Sequence, residues 1–286
     1  MRDVLAELLQ LLRLEPIEQR IFRGQSQDLG WGAVFGGQAL GQALSAAAQT
    51  VPADRHVHSL HAYFLRQGDA RRPIVYEVDA IRDGGSFTTR RVVGVQGGHA
   101  IFTLAASFQG DEPGLAHADP MPDAPDPDTL VSELEIARRN ADRIPEPLRR
   151  MATAERPIEI RPVQQVNLLA PKPMPARRQL WYRATGRLPD DPAVHRYLLA
   201  YASDFNFLVT AMLPHGVSWL TPGMQVASLD HAMWFHAPFR MDDWLLYDVE
   251  SPWAGGGRGL VKGSFYARDG RLVATVVQEG LIRRKA

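Results

Sequence analysis

Chemistry can sit at few places in this sequence. His58 and His61 stand three apart, and His231 and His236 stand five apart. A zinc site needs further nitrogen or sulfur ligands on a suitable frame, and nothing in the pattern supplies them. The chain has no cysteine, which removes thiol nucleophiles, disulfides and Cys-ligated metals together. No Gly-x-Ser-x-Gly elbow is present. Gly255-Gly256-Gly257 lacks the following Lys-Ser/Thr of a phosphate loop and reads as a turn into a strand. Asp204 is different. It lies in an apolar stretch with Leu198, Leu199, Phe205, Phe207 and Leu208. Desolvation there would raise its pKa and make it a stronger base. The ordinary alternative is a satisfied polar group, a cap or an ion-pair partner.

The bulk composition narrows the partners. The 286 residues carry 32 basic and 32 acidic side chains, so no overall field attracts nucleic acid or an anionic membrane. No apolar run approaches the roughly 20 residues of a membrane span. The first residues do not form a secretory signal, because Glu7, Gln10 and Arg13 break the leucine run. Leu5, Leu8, Leu9 and Leu12 instead share one face of a short amphipathic helix. The lack of cysteine fits a reducing compartment, and a cytoplasmic location is expected.

The elements that would position Asp204 form a repeat. Tyr76-Glu77-Val78-Asp79 and Tyr247-Asp248-Val249-Glu250 open two stretches at an offset of 171. The offset places Gly84-Gly85 on Gly255-Gly256 and Ile101-Phe102 on Leu272-Val273. Ser59-Leu60 pairs with Ser228-Leu229 at an offset of 169. Turn signals at Arg82 to Gly85, Gln96 to Gly98 and Arg268 to Gly270 divide each stretch into antiparallel strands. Each half also carries a helix, one over about 36–50 and one over about 193–213. A long helix wrapped by a curved antiparallel sheet, made twice, is an α+β double hot-dog. Pairing the halves covers sheet edge and helix that each alone would expose. The expected division is 1–112 for the first repeat, 113–155 for a linker with a helical segment, and 156–286 for the second repeat. Prolines at 113, 120, 122, 125 and 127 exclude regular structure at the linker's start.

Several segments carry a family likeness. They are Phe22-Arg23-Gly24-Gln25-Ser26, Val34-Phe35-Gly36-Gly37-Gln38, the run from His58 to Arg66, Tyr201-Ala202-Ser203-Asp204, the run from Leu229 to His236, and Val277-Gln278-Glu279-Gly280. Together, from about Leu8 to Arg283, the sequence resembles the acyl-CoA thioesterase II (TesB-type) family. The resemblance implies a double hot-dog hydrolase of fatty acyl-CoA thioesters that needs no metal or cofactor. It implies a homo-oligomer by analogy. It also implies a water held by an aspartate, a hydroxyl residue and a glutamine, which fall on Asp204, Ser228 and Gln278. The family commonly has threonine at the hydroxyl position. Serine keeps the oxygen but fixes its rotamer less.

These types suit hydrolysis without a covalent intermediate. Asp204 would take the proton of water, and Ser228 and Gln278 would orient it. The helix N-terminus at Gly36 and Gly37 is the candidate for stabilising the oxyanion. His58 is a candidate wall residue of the cleft. Arg66, Arg90, Arg91, Arg258 and Lys262 are candidates for the CoA phosphates. Within the repeat, an offset of 170 sets Val34 against Asp204, while 171 sets Ser107 against Gln278 and 169 sets Ser59 against Ser228. One working site per chain is therefore expected. Two other functions compete: a hot-dog hydratase, which would want an Asp–His pair more widely spaced than Asp230-His231, and a non-enzymatic acyl-CoA sensor.

Overall fold

The alanine-rich stretch after Gly36 becomes α2 (Gly36–Ala48), whose residues from Gly37 to Ala47 are all buried. Small side chains let the sheet and the neighbouring helices approach it closely. A computed structural model describes residues 3–285 of the chain, the Pro147 side chain excepted. Ahead of α2 stand α1 (Val4–Leu12), β1 (Glu15–Glu18) and β2 (Ile21–Gly24). Asp3 caps α1 through the Leu5 and Ala6 N–H groups, and Leu5, Leu8, Leu11 and Leu12 are buried. After α2 come β3 (His56–Phe64), β4 (Ile74–Asp83), β5 (Phe87–Gln96) and β6 (His99–Gln109).

No strand or helix lies within 113–126, as the prolines require. This segment is a strap rather than a free tether. Met121, Ala124 and Leu130 pack on a second apolar cluster of Trp181, Trp244, Leu246 and Tyr266. The Trp181 indole N–H donates to the Pro125 carbonyl at 2.9 Å. The short helices α3 (Glu133–Arg139) and α4 (Glu146–Ala152) follow.

The second half runs β7 (Ile158–Pro162), β8 (Arg177–Ala184), α5 (Pro192–Ser203), α6 (Val209–Met212), β9 (Met224–Ser228), β10 (Asp230–Phe235), β11 (Leu245–Gly255), β12 (Arg258–Ala267) and β13 (Leu272–Arg284). The strands form one antiparallel sheet in the order β1-β2-β4-β5-β6-β3-β10-β13-β12-β11-β8-β7, with β9 added on β13. The order reads as the same half-sheet twice, in opposite senses, joined where β3 meets β10. This is the α+β double hot-dog expected from the repeat. Helices α2 and α5 pack against each other within the curl.

The register corrects the repeat in detail. Leu246 pairs with Tyr266 as Val75 pairs with Val95, which keeps the offset of 171 for β4 and β5. The β12–β13 turn is one residue longer: Tyr266 faces Leu272 where Val95 faces Ala100. From there the offset is 172. Gln278, opposite Val261, therefore corresponds to Ala106, opposite Arg90, and not to Ser107. One residue of slip turns a side chain to the other face. Ser228 faces Gly280 as Val57 faces Phe108, so its counterpart is Val57 and not Ser59. Val34 also fails as the counterpart of Asp204. It precedes α2, whereas Asp204 follows α5, and the residue just past α2 is Gln49.

The second helix is shorter than the apolar run suggests. It stops at Ser203, and a turn over 204–208 separates it from α6. Asn206 there takes a left-handed φ of 61°, a conformation that asparagine tolerates better than most residues.

Candidate active site

Asp204 caps α5 rather than sitting within it, and three neighbours hold this helix end. The buried Tyr247 hydroxyl donates to the Ser203 carbonyl at 3.1 Å, and Tyr182 donates to the Phe205 carbonyl at 2.8 Å. Carbonyls at a helix end lack partners within the helix; Tyr247 satisfies one of them, and Tyr182 bonds a carbonyl of the turn that follows. The Asn206 amide donates to Glu133 of α3 at 3.1 Å. The carboxyl between these anchors is held in one place.

The helices run antiparallel, so the end of α5 meets the start of α2. The Gly37 N–H donates to Asp204 Oδ2 at 3.0 Å. A Cβ on Gly37 would lie 2.1 Å from the Tyr201 carbonyl, and one on Gly36 would lie 2.6 Å from Asp204 Oδ2. Only glycine permits this approach. The Gly36 N–H has no acceptor among the described residues. An aromatic cluster packs at this junction: Phe35 stacks on Phe205 at 4.3 Å and meets Tyr201 edge-on at 5.3 Å.

Ser228 and Gln278 arrive from the sheet. Ser228 ends β9 opposite Gly280, and Gln278 lies two residues along β13 on the same face. The Gln278 amide donates to Ser228 Oγ at 2.5 Å, and Ser228 Oγ reaches Asp204 Oδ1 at 3.5 Å. Between β9 and β10 the chain kinks at Leu229. Asp230 covers that kink by accepting the Glu279 N–H at 2.6 Å. This bond accounts for Asp230 structurally, so it forms no acid–base pair with His231.

Burial raises the Asp204 pKa from the ordinary 3.8 to about 6, against the lowering effect of the Gln278, Gly37 and Ser228 donors. A carboxylate in this state is ionised at neutral pH yet is a better base than an exposed one. Asp204 and Ser228 are half-buried, whereas Gln278 is fully buried.

Sequence reasoning missed His231 as part of this cluster. It is fully buried, and its Nδ1 lies 2.8 Å from Gln278 Oε1 and its Nε2 3.0 Å from Ser203 Oγ. Its place two residues before Met233 on a core-facing strand was the available signal.

Other candidates lie apart. His58 pairs with Ser107 Oγ at 2.8 Å and packs edge-on to Phe87. It is held on the far stretch of β3, not beside Asp204, because Phe64 at the other end is the β3 residue that approaches Gly36. Arg90 is buried, and its guanidinium is consumed by Thr50, Asp83, Arg82 and Thr89. It ties α2 to the β4–β5 hairpin and has no N–H left for a phosphate. Arg66 is exposed and donates to the Ala100 carbonyl. Arg91 pairs with Asp79, Arg258 with Glu279 and Lys262 with Glu250, each in exposed positions. Gly255 to Gly257 form the β11–β12 turn, with φ of 56° at Gly256 and 76° at Gly257. Among the described residues no cluster of three metal-ligating side chains occurs, and no helix is long and apolar enough to cross a membrane.

Known proteins resemble this chain in sequence and in fold. A family model described as acyl-CoA thioesterase matches residues 147–281, and one described as acyl-CoA thioesterase N-terminal domain matches residues 26–109. Acyl-CoA thioesterase 2 of Haemophilus influenzae is 44% identical over 283 residues, 99% of each chain. The crystal structure of an acyl-CoA thioesterase II from Mycobacterium marinum is 44% identical, with a TM-score of 0.78 over 98% of this chain and 99% of that one. A hot dog fold protein from Alicyclobacillus acidocaldarius is 20% identical with a TM-score of 0.78, covering 98% of this chain and 99% of that one. At that identity the likeness speaks for the fold alone.

Proposed function

The chain belongs to the acyl-CoA thioesterase family and is an acyl-CoA thioesterase, and from that premise we propose that Asp204, Ser228 and Gln278 hold and activate the hydrolytic water. The substrate is a fatty acyl-CoA, and the products are the free fatty acid and CoA. The convergence of the Gly37 N–H, Ser228 and Gln278 on one desolvated carboxylate carries this reading.

Water sits between Asp204 and Ser228, with the Gln278 amide fixing its orientation. Asp204 takes its proton as the oxygen attacks the thioester carbon. The carbonyl oxygen becomes an oxyanion, and the open Gly36 N–H at the start of α2 is the donor suited to it. Collapse of the tetrahedral adduct breaks the C–S bond, and the proton held by Asp204 goes to the departing sulfur. No acyl-enzyme forms. Arg66, Arg91, Arg258 and Lys262 remain the candidates for the CoA phosphates, and Arg90 is withdrawn. A cytoplasmic homo-oligomer is the expected assembly, which the mass in solution checks.

Release of free CoA from a saturated acyl-CoA, followed with a thiol reagent, tests the assignment. Asp204→Asn should lower kcat by about 10²–10⁴-fold. An Asp204→Asn protein that keeps the wild-type rate would remove Asp204 as the base.

A further inference from the structure

His231 and Gln278 lie directly across from each other on β10 and β13, in the register that pairs Ala232 with Val277. They share the inner face of the sheet, and both are fully buried. Their counterparts in the first half are Leu60 and Ala106, which also face each other. The end of α2, corresponding to Ser203, carries alanines. The same frame thus closes in one half with alanine, leucine and alanine, and in the other with Ser203, His231 and Gln278. The fold does not require the polar set. It occurs only in the half that carries Asp204.

The bonds of this set form a closed circuit. It runs from Ser203 Oγ to His231 at 3.0 Å, from His231 to Gln278 at 2.8 Å, from Gln278 to Ser228 at 2.5 Å and from Ser228 to Asp204 at 3.5 Å. Asp204 is the next residue after Ser203. We infer that His231 is a positioning residue, whose neutral Nδ1–H tautomer holds the Gln278 amide so that its NH2 faces Ser228 and Asp204.

Two polarities of the circuit are conceivable. In one, the imidazole Nδ1–H donates to Gln278 Oε1, and the bare Nε2 accepts the Ser203 hydroxyl. The Gln278 NH2 then donates to Ser228, and Ser228 is free to donate to Asp204. In the other, Nε2–H donates to Ser203, which donates to the Ala200 carbonyl at 2.9 Å. Nδ1 is then bare, and Gln278 must turn its amide over. Its carbonyl would face Ser228, and the single Ser228 hydrogen would be contested by that carbonyl and an anionic carboxylate. An ionised base needs donors around it, so the first polarity is the one compatible with Asp204 at work. Burial also pushes the imidazole down to about 4, which keeps it neutral at working pH.

This inference rests on the three-residue site proposed above, and its test separates the two. The His231 tautomer in the wild-type protein is read by imidazole ¹⁵N NMR, with the resonance assigned by its loss in a His231 variant. No turnover is involved, so the tautomer can fail while Asp204→Asn still abolishes activity, and the reverse holds too. The expected result at pH 7 is the Nδ1–H form; an Nε2–H form or an imidazolium overturns the inference.

Three variants complete the test. Asparagine can place its amide N–H where Nδ1 stood, glutamine reaches only the Nε2 position, and leucine restores the first half's residue. His231→Leu and His231→Gln should lose about 10–100-fold in kcat, the range seen when a supporting shell is removed, with KM within about threefold. His231→Asn should recover most of that loss. Unchanged kcat in His231→Leu, or an asparagine variant no better than leucine, would also overturn it. If a variant fails to fold, the wild-type tautomer still decides.

Discussion

Asp204 couples activity and stability to pH with opposite signs. Its pKa rises from the ordinary 3.8 to about 6 on folding, chiefly through burial. Ionising it in the native state therefore costs free energy, up to about 3 kcal/mol above pH 6. The cost is absent below about pH 4, where both native and unfolded forms are protonated. In the proposed mechanism, catalysis needs the ionised form. The kcat/KM profile should thus have an acid limb with an apparent pKa near 6, while this residue's contribution to stability improves as pH falls from 6 to 4. Asp204→Asn isolates the stability effect. It should gain up to about 3 kcal/mol in urea unfolding at pH 7.5, with the gain vanishing near pH 4. An acid limb centred near 4 would show that the carboxylate is not desolvated as described. The three residues around the proposed water were legible in the sequence because each sits in a distinctive run of neighbours. His231 was not. Its role depends on which residue faces it across the sheet, and nothing local specifies that.

At the scale of elements, the site is a junction between two helix ends and two strands. The 193–213 segment read as one helix because its residues are apolar almost throughout and contain no glycine before Gly216. The stop at Ser203 is imposed from outside, by Tyr247 and Tyr182 bonding carbonyls and by Glu133 holding Asn206. Those contacts cross from 23 to 73 positions of chain, so local propensity cannot report them. The opposite helix end was legible, because Gly36-Gly37 at the head of an alanine-rich run marks close backbone approach. The two glycines should respond differently to a methyl group. In Gly37→Ala the methyl meets a backbone carbonyl at 2.1 Å, and the α2–α5 contact must part. Thermal and urea unfolding should show a loss of at least about 2 kcal/mol. In Gly36→Ala the methyl meets the Asp204 carboxylate at 2.6 Å and the Phe64 ring at 2.9 Å, which are side chains. That variant should fold, and kcat should drop by about 10²-fold through displacement of the base. Equal damage to folding in both would mean that the α2–α5 spacing does not depend on which atoms the methyl meets.

Across the whole molecule, the two halves share a frame but not a chemistry. The repeat was visible as an offset between strands. The single extra residue in the β12–β13 turn was not, because sequence offsets slide past an insertion that hydrogen-bond register records. The correction changes which residues occupy the mirror position and strengthens the asymmetry. Where the second half has Asp204, Ser228 and Gln278, the first has Gln49, Val57 and Ala106. Ser59 and Ser107, two hydroxyls that a mismatched register would have set there, belong to other positions. The site also draws on both halves, since the Gly37 N–H comes from the first and the carboxylate from the second. The mirror-image junction lacks these groups: there Pro192 stands where Gly36 does and has no N–H, and the N–H of Ala193, the match of Gly37, is taken by Asp191 at 2.9 Å. One acyl-CoA should therefore bind per chain with hydrolysis following from it. Calorimetric titration of Asp204→Asn with a saturated acyl-CoA should give a stoichiometry of one. Two equivalents bound per chain, with turnover persisting in that variant, would show that the first half is a working site despite its apolar residues. A stoichiometry of one would mean that duplicating the frame served to close the sheet and supply a second helix end, with the reaction kept on one side of the join.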